Sequence, residues 1–322
     1  MAGEAPAPHD PMRVYWERAI AVMSDQLAPQ TPDDRRAWFE RYCDIFKTKR
    51  PADLDVTNWF ASAPGREIPI RIYRPRTQAP RLATMIYLHG GGYVCGSLET
   101  HDSVVANLAS GAGIQVVAVH YRRSPENPFP AGLEDANFVL NWVAERAERY
   151  GVDPDRICIG GDSAGGGLTA ALSMYNRDKG GAKLRAQILL YPGPMNTSVP
   201  LDSYVRNVSD PFLKKSDLDY QLEIYLPGML DTKNPHAVPL QAKDFSRLPP
   251  AVVHVAEHDP LHDEGKYYHD RLVEAGVPSD FRIARSLHHS FLRAVDIVPE
   301  AKAEAAALYR MIRQVLDLDA KA

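Results

Sequence analysis

Cysteine is scarce in this chain. Its three cysteines in 322 residues (Cys43, Cys95 and Cys158) are odd in number and show no Cys-x-x-Cys spacing. That excludes a disulfide framework or a zinc ribbon and reads as reduced thiols of a cytoplasmic protein. No uninterrupted apolar stretch approaches the roughly eighteen residues that a membrane span requires. The start, MAGEAPAPHDPMRVYWERAI, has acidic residues and prolines where a secretory signal carries a basic cluster and an apolar run, so secretion is not expected. Excess positive charge is missing too. A formal net charge of -4 and a pI near 6.3 give no basic surface for nucleic acid. No internal repeat is present, and the one low-complexity stretch is the short Ala/Pro start.

What remains is a composition 45% hydrophobic and 24% charged, ordinary for a globular protein and against disorder. From about residue 55 onward short apolar runs alternate with longer amphipathic segments, the pattern of a mostly parallel sheet covered by helices. Eight strands are expected, near 55–62, 68–74, 84–89, 114–121, 156–161, 186–191, 251–257 and 280–284. Expected helices are LEDANFVLNWVAERAERYG ending at Gly151, one opening at Ser163, EGKYYHDRLVEAG ending at Gly276, and a C-terminal EAKAEAAALYRMIRQVL. Residues 1–54 read as helices without strands. A second stretch outside the alternation, 198–230, reads as an insertion carrying a helix; the two could join as a helical cap. The expected organisation is therefore N-terminal cap helices over 1–54 and an α/β catalytic domain over 55–322 with a cap insertion near 195–235.

The stretch GGDSAGGG at 160–167 follows an apolar strand and opens a helix. That context makes Ser163 a candidate nucleophile on a strained turn, with Gly161 and Gly165 leaving room for close backbone approach. GDSAGG is one letter from the chymotrypsin-like Gly-Asp-Ser-Gly-Gly, but those proteases are all-β and their histidine precedes the serine. A second motif, YLHGGGYVCG, puts His89, Gly90, Gly91 and Gly92 at the end of the third strand. Glycine amides there, with that of Ala164, suit an oxyanion, and His89 reads as a brace for the loop.

A serine hydroxyl needs a base, and the base needs a carboxylate to orient it. Asp259 lies just beyond the seventh strand, at the sheet edge where such sites assemble. Asp263 competes but precedes a helical segment, where an N-cap role explains it. The pair His288 and His289 follows the eighth strand. A zinc site from His258, Asp259, His262 and Asp263 is disfavoured by Pro260, which breaks the helix such ligands would share. Neutral histidine as base predicts activity falling as pH drops through about 6 to 7.

With HGGGYVCGSLETHD, YRRSPENPFPAGLEDA, GGDSAGG, LPPAVVHVAEHDPLHDEG and HHSF in this order, the chain resembles the hormone-sensitive lipase group of α/β-hydrolase esterases, the bacterial family IV carboxylesterases. The resemblance spans about 84–292. It implies an α/β-hydrolase fold with a helical cap, and a triad of Ser163, Asp259 and His289, since the family's histidine precedes Gly-Phe and here Ser290-Phe291 follows. His288 is thereby left to packing or solvent. It also implies oxyanion donors at Gly91, Gly92 and Ala164, with His89, Gly90, Gly161, Asp162 and Gly165 as motif support. The implied activity is hydrolysis of short- to medium-chain acyl esters through an acyl-serine, with a small-molecule ester as substrate and no metal or other cofactor. A homodimer is left open. Two departures stand out: Ser290 replaces a glycine, and YPGPMN after the sixth strand lacks an aspartate common there. Alternatives from the same superfamily are an amide or lactone hydrolase like the arylacetamide deacetylases, and a non-catalytic small-molecule binder like the plant hormone receptors that lost the histidine.

Overall fold

The computed structural model describes residues 5–23, 31–77 and 79–319. One sheet contains β1 (Leu54–Ala63), β2 (Arg66–Pro75), β3 (Leu82–Leu88), β4 (Gln115–Val119), β5 (Val152–Asp162), β6 (Ala186–Leu190), β7 (Ala251–His258) and β8 (Ser279–His288). Their spatial order is β1-β2-β4-β3-β5-β6-β7-β8. The β1–β2 and β2–β4 pairs are antiparallel and all others parallel. The helices among the described residues are α1 (Arg13–Met23), α2 (Pro32–Ile45), α3 (Asp102–Ala112), α4 (Ala131–Glu145), α5 (Ala164–Lys179), α6 (Ser203–Arg206), α7 (Lys215–Tyr225), α8 (His262–Glu274) and α9 (Pro299–Val315).

The central strands β3, β4 and β6 are buried along their whole length, as parallel strands covered on both faces must be. Side chains alternate between those faces. Met85, Tyr87, Val116 and Ala118 pack towards α3 and α9, while Ile86, Leu88, Val117 and Val119 pack towards α4 and α5. Truncating a buried leucine such as Leu88 to alanine in this layer should cost ~2–5 kcal/mol.

The eight strands stand where the apolar runs put them, and three helical features differ from expectation. Helix α4 stops at Glu145, not at Gly151. Residues 146–150 continue as turns, and Gly151 at φ +60° makes the entry into β5, where a Cβ would press on the Arg74 guanidinium and Pro80 O. Helix α3 carries no clear signal in the sequence. Its N-cap residue His101 makes no side-chain cap bond, and Gly111 interrupts its pattern because Tyr309 of α9 fills the space beside it. Helix α8 begins at His262 with Leu261 as N-cap, so Asp263 sits inside the first turn and is not the cap. Its carboxylate accepts from Ser203 N at 2.8 Å and pairs with Arg206.

Helices α1 and α2 divide the tasks of the N-terminal segment. Met12, Tyr15, Ala19 and Met23 are buried in the main core, with Tyr15 stacked on Phe46 at 3.9 Å. Helix α2 opens with a capping box between Thr31 and Asp34. Its Arg36 donates to Val94 O and Ser124 O and forms an ion pair with Glu126, which fastens α2 beside the glycine loop after β3.

Candidate active site

Strand β5 ends at Asp162 and α5 begins at Ala164, leaving Ser163 alone to turn the chain, at φ 53° and ψ -123°. That is a strained region for a non-glycine residue, held here by Ser163 N donating to Leu190 O and Ser163 O accepting from Gly167 N and Gly193 N. The turn requires its glycines. A Cβ on Gly165 would stand 1.9 Å from Leu88 O, and one on Gly161 2.4 Å from the same oxygen.

Loops after β7 and β8 bring two more sequence-selected residues to the serine. His289 Nε2 lies 2.9 Å from Ser163 Oγ, and His289 Nδ1 lies 2.7 Å from Asp259 Oδ2. Asp259 is fully buried, and its other oxygen accepts from Leu261 N at 2.8 Å. With Nδ1–H donating to the carboxylate, Nε2 is free to accept the serine proton. Burial opposes charge on His289, but the Asp259 carboxylate outweighs it, and the imidazole's pKa is raised above its ordinary value. The residues weighed earlier as a zinc set are otherwise engaged: His262 Nδ1 bonds Ala256 O at 2.7 Å, and Asp263 bonds Ser203.

Ser290 is in the left-handed region, φ 62° and ψ 24°. The position therefore keeps the backbone a glycine would favour although a side chain stands there. His288 departs from the packing-or-solvent reading, because each of its ring nitrogens bonds a carboxylate, from Asp10 and Asp210.

The glycine loop after β3 faces the serine. Gly91 is at φ +119° and Gly92 at φ +62°, and both line the cavity that holds Ser163 and His289. Ala164 is the first residue of α5, where unpaired N–H groups and the helix dipole favour negative charge. Gly90 N donates to Asp162 Oδ1 at 3.0 Å, and Tyr87 O–H donates to the same oxygen at 2.6 Å. Burial works against charge on Asp162, but neighbouring His101 and Arg293 and the Tyr87 bond hold its carboxyl well below the ordinary range. Asp162 thus ties the serine turn to the glycine loop. His89 is buried, stacks on Tyr121 at 4.3 Å and bonds Gly90 O through Nδ1. Burial pushes its pKa well down, so it stays neutral.

The cavity measures about 330 Å³. One wall comes from α2 (Arg35, Trp38, Phe39, Tyr42) and another from Phe212 and α7 (Tyr220, Gln221). Arg293 and Gln221 are among the lining residues that carry little signal in the sequence. Arg293 is buried, donating to Thr100 O and His101 Nε2, both at 2.7 Å; only its place four residues after His289 hinted at it. The Gln221 side chain lies where a Cβ on Gly92 would be, within 2.4 Å, a contact between distant segments without local signature.

Residues 85–293 match a family model described as alpha/beta hydrolase fold. The chain is 40% identical to the carboxylesterase NlhH of Mycobacterium tuberculosis over 239 residues, covering 73% of this chain and 74% of the relative. It is 34% identical to an ethyl acetate hydrolase of Pseudomonas putida over 292 residues, 88% of this chain and 90% of the relative. The hyperthermophilic esterase from the archaeon Pyrobaculum calidifontis superposes with a TM-score of 0.87 at 34% identity, covering 94% of this chain and 97% of that one.

Proposed function

This chain belongs to the alpha/beta hydrolase fold family, in its hormone-sensitive lipase group, and is a carboxylic ester hydrolase; we propose that it works through an acyl-serine formed on Ser163, with His289 as base and Asp259 orienting it. The observation that carries this is the unbroken hydrogen-bond chain Ser163–His289–Asp259 opening into a cavity. As Ser163 Oγ attacks the ester carbonyl, its proton passes to His289 Nε2, and Asp259 stabilises the imidazolium. In this reading the carbonyl oxygen gains negative charge against the amides of Gly91, Gly92 and Ala164, since donors fixed on a rigid loop and a helix start need no reorganisation. The C–O bond to the alcohol breaks, His289 returning the proton to the leaving oxygen. Water, deprotonated by the same imidazole, then attacks the acyl-serine, and collapse releases the acid and the serine.

The two segments outside the strand alternation form the cap in this reading, α1 and α2 with the insertion near 195–235, since α2, Phe212 and α7 wall the cavity. Its aromatic walls and modest volume favour short- to medium-chain acyl groups. The relatives are a carboxylesterase and an ethyl acetate hydrolase, which favours an ester over an amide or lactone. A non-catalytic binder would lack the relay seen here. A cytoplasmic setting is supported by three buried, unbridged thiols; among the described residues no helix is long and apolar enough to cross a membrane. Replacing Ser163 by alanine should lower kcat for p-nitrophenyl butyrate by about a thousandfold or more. Retention of a tenth of the activity by the purified variant overturns the reading.

A further inference from the structure

The residue before the base holds together parts of the chain that are far apart in sequence. His288 Nε2 lies 2.8 Å from Asp10 Oδ2, and its Nδ1 lies 2.5 Å from Asp210 Oδ2. The three side chains are 8%, 12% and 1% exposed. Asp10 leads into α1, its Oδ1 accepting from Met12 N at 2.7 Å. Asp210 lies between α6 and α7, and its Oδ1 accepts from Phe212 N and Leu213 N, both at 2.8 Å. Phe212 and Leu213 line the cavity. One imidazole therefore bonds the N-terminal segment, the insertion and the loop that carries His289.

A neutral imidazole has one N–H and one lone pair, so it can donate to only one carboxylate while presenting a lone pair to the other. Contact with a carboxylate at both nitrogens is the geometry of the charged form. We propose that His288, as an imidazolium, is a positioning residue that latches both cap segments onto the loop of the catalytic base and thereby sets the cap wall of the cavity in which the acyl group binds. The inference rests on the assignment of His289 as base.

The surroundings agree. Burial opposes charge on His288, but Asp10 and Asp210 outweigh it and hold the imidazole up to about 9. The other titratable groups around this cluster include His258, whose ring centre is 5.2 Å away at the end of β7, Tyr42, within electrostatic reach of Asp210, Asp259, which together with burial raises the Asp210 carboxyl while the His288 bond lowers it, and His289 itself. The latch is therefore closed at neutral pH and opens as alkali removes the proton. Opening should appear as a rise in KM.

The test uses the full-length enzyme with Asp10→Asn, which removes one carboxylate near the surface. Amide hydrogen exchange in residues 5–23 and 203–213 should quicken by about tenfold, the loss expected for one charge-assisted hydrogen bond. KM for p-nitrophenyl hexanoate should rise by a similar factor with a smaller change in kcat, and the alkaline rise in KM should begin at lower pH because one carboxylate holds the imidazolium less strongly. His288→Gln should abolish that alkaline rise; if it fails to fold, Asp10→Asn decides alone. Unchanged exchange, or faster exchange with unchanged KM, overturns the proposal. Exchange needs no turnover, so an active Ser163→Ala enzyme, which sinks the site assignment, remains distinguishable from a failed latch.

Discussion

Replacing Asp259 by asparagine tests the relay at its least exposed member. The carboxylate accepts from His289 Nδ1 at 2.7 Å through one oxygen and from Leu261 N at 2.8 Å through the other. An asparagine that keeps its oxygen on Leu261 N must turn its NH2 towards Nδ1. Nδ1 then becomes the acceptor, the ring proton moves to Nε2, and Nε2 can no longer take the proton of Ser163. Flipping the amide would set its NH2 against Leu261 N–H and strand a buried donor, a penalty of ~1–3 kcal/mol. Loss of the correct tautomer should lower kcat by about 10³–10⁴, equivalent to ~4–5.5 kcal/mol of barrier. The assay is p-nitrophenyl butyrate hydrolysis across pH. His289 must be neutral to act, and Asp259 raises its pKa, so the wild-type acid limb should lie above the ordinary histidine value of about 6.5. That is higher than the sequence alone suggested. In the variant burial acts unopposed by this carboxylate, and the limb of any residual activity should move to lower pH. Asp263→Asn, whose bonds go to Ser203 and Arg206, should stay within about twofold of wild type. A kcat for Asp259→Asn within tenfold of wild type refutes the reasoning.

Gly165→Ala should cost at least ~3 kcal/mol, because the new methyl meets the Leu88 carbonyl at 1.9 Å and both are backbone-bound; a melting temperature within a few degrees of wild type contradicts this. Ser290→Gly should stabilise by ~0.5–1 kcal/mol, the relief of a left-handed serine less glycine's entropy, with activity retained; a lower melting temperature counts against it. Deleting residues 1–30 removes Met12, Tyr15, Ala19 and Met23 from the core, where each large apolar side chain contributes ~1.5–3 kcal/mol. Both the melting temperature and the chain-length preference should change, and a variant that melts like wild type refutes the core role of α1. Residues 1–4 and 24–30 of that deletion lie outside the described residues.

The sheet was legible because buried parallel strands leave predominantly apolar runs such as TMIYLH and AQILLY, and the glycines of the serine turn mark a backbone that no other residue allows. Chain order and motif single out Ser163, Asp259 and His289, which the structure brings within hydrogen-bond reach of one another, although the choice of His289 over His288 needs the family resemblance. What escaped notice depends on distant partners. Helix α3 owes its glycine to Tyr309, Gln221 reaches the glycine loop after β3 from α7, and Arg293 finds Thr100 and His101 nearly two hundred residues away. His288 looked idle in sequence because its two carboxylates come from positions 10 and 210. The N-terminal aromatics divide between core and cavity: Tyr15 is wholly buried, while Trp38, Phe39 and Tyr42 wall the cavity.

The central claim is that Ser163 forms the covalent bond to the acyl group. It is tested most directly by treating the enzyme with diethyl p-nitrophenyl phosphate, whose phosphoryl group serine hydrolases trap on the nucleophile, and reading intact mass, peptide mass and residual activity together. The expected result is a single diethylphosphoryl group per chain, on the peptide containing Ser163, with activity lost in proportion to labelling and no labelling of Ser163→Ala. Phosphorylation at another residue, or full activity in the fully labelled enzyme, would contradict it.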